Sequence, residues 1–265
     1  MKLTVIGSGS EGNSIILTGM NRRIVIDCGF SHREFARRCE SAGVDSDGFD
    51  MIFLTHEHSD HIRGAGVLAR RYRCPVVATE QTLRRGRAIL GTLPAVQVLT
   101  PGDRVEVGDL SVEAFPVPHD AADPVGYIAR SNDVKIGICT DLGCITRTVR
   151  DMLTGCHGLV LEMNHDVNML MAGPYPWELK QRIRSDRGHL SNDDAGAFLQ
   201  EIRGPDLKHL VLAHLSKENN LPDLAHVIAS QAVGSEGPLF GTRISVAGQD
   251  EAMETLEIGY DRRLA

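Results

Sequence analysis

Three imidazoles and two carboxylates crowd into six consecutive residues, His56-Glu57-His58-Ser59-Asp60-His61, directly after the apolar run Met51-Ile52-Phe53-Leu54. Imidazole nitrogen and carboxylate oxygen are the donors that zinc, manganese and iron take. If the apolar run is a β-strand, the alternation of its side chains delivers His56 and His58 to one side of the backbone. Asp60 and His61 then fall where the chain turns into a helix, free to face a second centre. A solvated, histidine-rich turn is the plain alternative, but donors this dense would be odd decoration. The spacing is that of a two-metal site.

The elements that must position these residues are legible along the chain. Short runs rich in β-branched residues predict strands at 2–6, 14–18 and 23–26, and a helix at 31–42 stopped by Gly43. Past the cluster, 64–72 reads as a helix, 76–79 as a strand and 80–90 as a helix. A strand-rich stretch follows at 97–99, 104–107, 110–116, 126–129 and 134–139. Then come a helix at 146–153, a strand at 158–161, a Met-rich turn, a helix at 193–202 capped by Asn192 or Ser191, and a strand at 207–212. The segments 243–246 and 254–258 look like a closing pair of strands. With no repeat, low-complexity segment or linker, residues 1–265 are expected to form one domain.

Composition narrows the function classes. No run approaches the ~20 apolar residues of a membrane span, so no membrane partner is expected. The opening Met-Lys-Leu-Thr-Val-Ile-Gly reads as a first strand and not as a signal peptide. The six cysteines (Cys28, Cys39, Cys74, Cys139, Cys144 and Cys156) contain no Cys-x-x-Cys pair. Reduced thiols in a cytoplasmic protein are therefore expected. A net charge of −7 argues against attraction of the whole surface to nucleic acid. Between residues 63 and 87, however, seven arginines face one acid, Glu80, giving +6 locally against −13 elsewhere. That block is either a pair of solvated helix faces or a grip for phosphate, with Arg70, Arg71, Arg84 and Arg85 as candidates.

His-x-His-x-Asp-His after a strand resembles the metal signature of the metallo-β-lactamase fold. The resemblance implies an α/β (α+β) architecture, a four-layer αββα sandwich with metals at one edge between two sheets. It further implies that Asp27, at the end of a buried strand, orients the histidines from behind. His119 after Pro118, Asp141 after Thr140 and His214 after Ala213 match its later motifs. By resemblance, His56, His58 and His119 hold one metal, Asp60, His61 and His214 the other, and Asp141 bridges them. The loop Gly7-Ser8-Gly9-Ser10-Glu11-Gly12-Asn13 lacks the lysine of a P-loop. In this fold it borders the cleft, so Ser8, Ser10 and Asn13 are candidates to donate to a substrate phosphate. The donor set suits two zinc or manganese ions better than magnesium or calcium. Such ions, ~3.5–4 Å apart, make a bridging hydroxide available near neutral pH as the nucleophile and neutralise charge in the transition state.

Metal ligation does not choose the substrate. Asp60 beside His61 makes the centre rich in carboxylate, and His189 stands outside the ligand set as a candidate acid for a leaving alkoxide. The arginine block and the series Lys180, Arg182, Arg184 and Arg187 supply charge for a phosphate backbone. Ser-Gly-Ser-x-Gly-Asn, Asp27, the histidine cluster, Glu162-x-Asn164, Tyr175-Pro through Ile183, Gly188-His-Leu-Ser-Asn192 and Ala-His214-Leu-Ser cover nearly the whole chain. Together they resemble the YycJ/WalJ group, related to RNase Z and to cyclic phosphodiesterases. What the resemblance implies is a metal-dependent exonuclease that degrades double-stranded DNA from its 5′ end, with Glu162 and Asn164 behind the ligands and Glu162 a candidate to orient His189. Only 72 residues separate Asp141 from His214, too few for an inserted β-CASP domain. Two other readings stay open. A small-molecule hydrolase (thioesterase, lactonase or cyclic phosphodiesterase) would ignore salt, and a non-catalytic nucleic-acid-binding module would bind DNA without cutting it. The oligomeric state has no mark in the sequence.

Overall fold

The computed structural model describes residues 1–234 and 241–259; residues 235–240 and 260–265 of the expected single domain lie outside that description. The first half of the chain builds one sheet from β1 (Lys2–Gly7), β2 (Ser14–Thr18), β3 (Arg23–Ile26), β4 (Met51–Phe53), β5 (Val76–Thr79) and β6 (Val96–Leu99). The second builds another from β7 (Arg104–Val107), β8 (Leu110–Pro116), β9 (Val125–Ser131), β10 (Val134–Cys139), β11 (Gly158–Glu162), β12 (His209–Ala213) and β13 (Arg243–Val246). The last strand, β14 (Leu256–Glu257), returns to the first sheet beside β1. The expected closing pair is thus split: β13 joins β12 in parallel while β14 pairs with β1 antiparallel.

Alternation along the strands explains the layers. Leu3 and Val5, Ile15 and Leu17, and Ile24 and Ile26 face Tyr127, Ile136, Ile138 and Val160 across the two sheets. The intervening Ile16 and Val25 point outward, where helices cover them. Outside the first sheet lie α1 (His32–Ser41), α2 (Ser59–Ile62), α3 (Ala65–Tyr72) and α4 (Glu80–Leu90). Next in the chain come α5 (Arg147–Leu153), α6 (Val167–Ala172), α7 (Trp177–Ile183), α8 (Asn192–Ile202) and α9 (Pro222–Val233), of which α5, α8 and α9 cover the second sheet. The four-layer αββα order is the expected one. Ser31, Thr79, Thr146 and Ser191 accept from the first turns of α1, α4, α5 and α8.

Both sheets are mixed. The strands β3 to β6 run parallel, as do β10 to β13. Their carboxyl ends lie along one edge, where open sheets place ligands.

Candidate metal centre

Most of the donors hang from the carboxyl ends of those strands, and His119 follows β8. Asp27 follows β3, His56 and His58 follow β4, Asp141 follows β10, Glu162 ends β11 and His214 follows β12. Asp60 and His61 lie in α2, with His58 at its N-cap. Asp27, Asp141 and His214 all adopt left-handed backbone, with φ of 58°, 57° and 54°. A residue with a Cβ gives up about 1–2 kcal/mol there, and such strain persists where the surroundings force it at functional positions. The loop after β3 is pressed against α2: a Cβ at Gly29 would run into the Asp60 carbonyl oxygen, so only glycine fits.

Hydrogen bonding dictates which ring nitrogen each histidine offers. Carboxylate and carbonyl oxygens only accept. His61 Nδ1 therefore donates to Asp27 Oδ2 at 2.8 Å, His119 Nδ1 to the Gly188 carbonyl at 3.0 Å and His214 Nδ1 to Glu162 Oε1 at 3.0 Å. Thr55 Oγ1 donates to Asp27 Oδ2 at 2.8 Å and so accepts from His56 Nδ1 at 2.9 Å. All four rings turn Nε2 inward, the nitrogen free to ligate once the ring is neutral. His58 is reversed, its Nδ1 3.1 Å from His56 Nε2 and 3.3 Å from His119 Nε2.

Among the described residues the donor atoms gather in overlapping groups, within 4.8 Å of one another in each: His56, His58 and His119; Asp60, His61 and His214; His56, His61 and Asp141; and Asp141, Glu162, His189 and His214. Asp141 joins them, with Oδ2 3.2 Å from His61 Nε2 and Oδ1 3.5 Å from His214 Nε2. Asp141 Oδ2 and His214 Nε2 are buried yet have no hydrogen-bond partner. Buried polar atoms left this way are costly, and a cation between them removes the cost. The residues fit divalent metal.

Electrostatics agrees. Burial opposes charge on His214, but the carboxylates of Asp141, Asp60 and Glu162 carry its pKa up to about 10. Burial likewise opposes charge on His61, and Asp141, Asp60 and Asp27 raise it well above the ordinary value. Without metal, protons on these rings balance the buried carboxylates. Below its raised pKa each ring must release its proton before it can ligate. Metal loading at pH 8 is therefore expected to release protons and to tighten as pH rises toward about 10. Calorimetric titration in buffers of different ionisation enthalpy reads this directly, and buffer-independent heats would refute it.

Glu162 is fully buried and holds more than one partner. Its Oε1 accepts from His214 and, at 2.8 Å, from His189 Nδ1, while Oε2 accepts from the backbone of Leu142 and Leu190. Burial would raise its pKa, yet His189 and His214 hold it down at about 2. Asn164 Nδ2 donates to the His214 carbonyl at 2.8 Å. Both residues thus hold His214 in place.

The substrate-side expectations fare less evenly. Ser8 is turned inward, accepting from the His214 backbone at 2.9 Å. Asn13 donates to Asp60 Oδ2 at 3.2 Å and sits 3.0 Å from His61 Nε2. Both are buried and position donors; of the three loop candidates only Ser10 lines the adjoining cavity. Arg71, Arg84 and Arg85 are exposed on α3 and α4, outside that cavity. Arg70 is a correction: its guanidinium donates to the Leu90 and Thr92 carbonyls, closing the C-terminal end of α4. Arg70→Ala should lower stability by about 1 kcal/mol and leave the salt dependence of DNA binding unchanged. A denaturant titration beside an anisotropy titration checks both, and a flattened salt slope would return Arg70 to the substrate.

Of the second basic series, Lys180 is tied to the Met171 and Gly173 carbonyls and Arg187 to that of His119, so only Arg182 reaches the cavity. Sequence reasoning missed Thr55, the link between Asp27 and His56, and Asp120, which accepts from Arg182 Nε at 2.5 Å and lies 3.4 Å from His119 Nε2. His119-Asp120 being adjacent was the one available signal. His165 is buried outside the donor groups.

A beta-lactamase superfamily domain model matches residues 22–215, well over half of the chain. This chain belongs to the metallo-β-lactamase superfamily. Within the superfamily, exodeoxyribonuclease YycJ of Bacillus anthracis is 37 % identical over 257 residues, spanning 96 % of this chain and 97 % of that one. Exodeoxyribonuclease WalJ of Streptococcus pneumoniae is 37 % identical over 85 % of this chain and 86 % of its own. Among solved structures, the metallo-β-lactamase-fold protein YhfI of Bacillus subtilis superposes with a TM-score of 0.71 at 16 % identity, over 95 % of this chain and 98 % of that one. The last likeness concerns the fold alone. Among the described residues no helix is long and apolar enough to cross a membrane.

Proposed function

We propose that this chain is a metal-dependent phosphodiesterase that degrades double-stranded DNA from an end, in the 5′-to-3′ direction. The observation that carries the reading is the end-to-end match to an exodeoxyribonuclease in a molecule whose expected donors all converge on one cleft. His56, His58 and His119 would hold one ion, Asp60, His61 and His214 a second, and Asp141 both, with zinc or manganese suited to the mixed donors. Bound there, such ions supply an activated water and neutralise charge on the attacked phosphate.

The chain's own residues set up the rest of the reaction. Asn13 fixes the Asp60 carboxylate beside His61. Glu162 takes the Nδ1 proton of His189 in a hydrogen bond, so the ring presents Nε2 to the cavity it lines. From there His189 delivers a proton to the leaving 3′ oxygen. The six free cysteines, five of them buried, accord with a cytoplasmic setting.

The test compares DNA and RNA duplexes carrying a label at the 5′ or the 3′ end, with and without chelator. The expected result is immediate release of mononucleotide from 5′-labelled DNA and gradual shortening of 3′-labelled DNA, both stopped by chelator. Cleavage of RNA with DNA spared, or turnover of a thioester with no action on either polymer, would contradict it.

A further inference from the structure

Resting on that nuclease reading, we propose that the cavity beside the donors receives one unpaired terminal nucleotide, its base stacked on Tyr175 and its phosphate held by Arg182. The cavity has a volume of about 400 Å³ and reaches the donor cluster at His189 and His214. That is the low end of small-ligand sites, about 300–1,000 Å³. It is large enough for a single nucleotide.

One wall is α7 and Tyr175, two residues before it. Leu179, Arg182 and Ile183 share a helix face by their i, i+3, i+4 spacing, and with Tyr175 they line the cavity. The wall is tied to the end of α6, where the Lys180 ammonium donates to the Met171 and Gly173 carbonyls at 2.8 and 2.7 Å. An aromatic ring flanked by aliphatic side chains fits the flat face of a base, and that face is open only when the base has left its stack. Arg182 is 60 % exposed, and its Nε is the donor engaged, by Asp120. The other edge of the guanidinium fork is left for a phosphate. The second cation on the cavity, Lys217, is paired with Glu11 and Asp250.

The chain therefore acts on frayed or overhanging ends ahead of tightly paired ones. Trp177, the single tryptophan, lies two residues past Tyr175 and is 54 % exposed, so its emission reports occupancy of the wall. The experiment titrates metal-stripped protein with two duplexes, one with a short 5′ overhang and one blunt with G·C ends, and then compares their cleavage once metal is restored. The overhang is expected to bind tighter and to be cut faster. Tyr175→Leu keeps apolar bulk without a ring and should weaken overhang binding roughly 5- to 150-fold, the usual worth of a stacked base. Tyr175→Phe should match the wild type. Equal handling of both ends, with Tyr175→Leu indistinguishable from wild type, would overturn this inference and leave the nuclease reading standing. A wild type that cuts neither duplex would overturn both.

Discussion

Asp141→Asn is expected to fold and to lose both metals together, with hydrolysis reduced by roughly 10³-fold or more, since the ions supply several kcal/mol of charge stabilisation. Asp141 is the carboxylate that touches both halves of the centre: His61 at 3.2 Å, His214 at 3.5 Å and His119 at 4.0 Å. Asparagine keeps the shape and removes the charge that balances the cations. His119→Ala should behave differently, emptying mainly the site it shares with His56 and His58. Metal analysis of the purified variants separates the two cases. Two equivalents retained by Asp141→Asn would show that the shared position was wrongly assigned.

His189→Ala should keep both metals and the fold, yet slow DNA cleavage by roughly 10²–10⁴-fold, the worth of a positioned acid. The ring gathers with Asp141, Glu162 and His214 and not with Asp60, His61 or His56, and it reaches Asp141 at 3.8 Å. Its Nδ1 is engaged by Glu162, which leaves one nitrogen for substrate. A nitrophenyl phosphodiester has a leaving group that needs no proton, so the variant should recover most of its rate on that substrate. Loss of a metal would make His189 a ligand, and equal slowing on both substrates would make it a phosphate contact. Glu162→Gln should weaken metal binding as well as acid delivery, because the same carboxylate oxygen holds His214.

The parts of the molecule that could be read from sequence are those where local pattern and burial agree. The inner strands are largely apolar on both faces, since each sheet is packed against its partner and under helices, so β1 to β3 and β10 to β12 stand out as apolar runs. The histidine cluster is dense enough to announce itself. What was missed depends on contacts made far along the chain. Ser8 looked like a phosphate donor in a glycine-rich loop, but it meets His214, 206 residues away. Arg70 looked like part of a basic grip until α4 was seen to end against it. Arg182 and Asp120, 62 residues apart, meet only because α7 is folded over the cleft. The helix α9 did carry its signals, Pro222 at its start and Gly234 in left-handed backbone at its end, and those signals went unread.

The most direct test titrates metal-stripped protein with manganese or zinc while recording mononucleotide release from a 5′-labelled DNA duplex. Two coupled sites sharing Asp141 predict activity that stays low at one equivalent and saturates at two. Full activity at one equivalent, or cleavage that survives complete removal of metal, would contradict the two-metal centre.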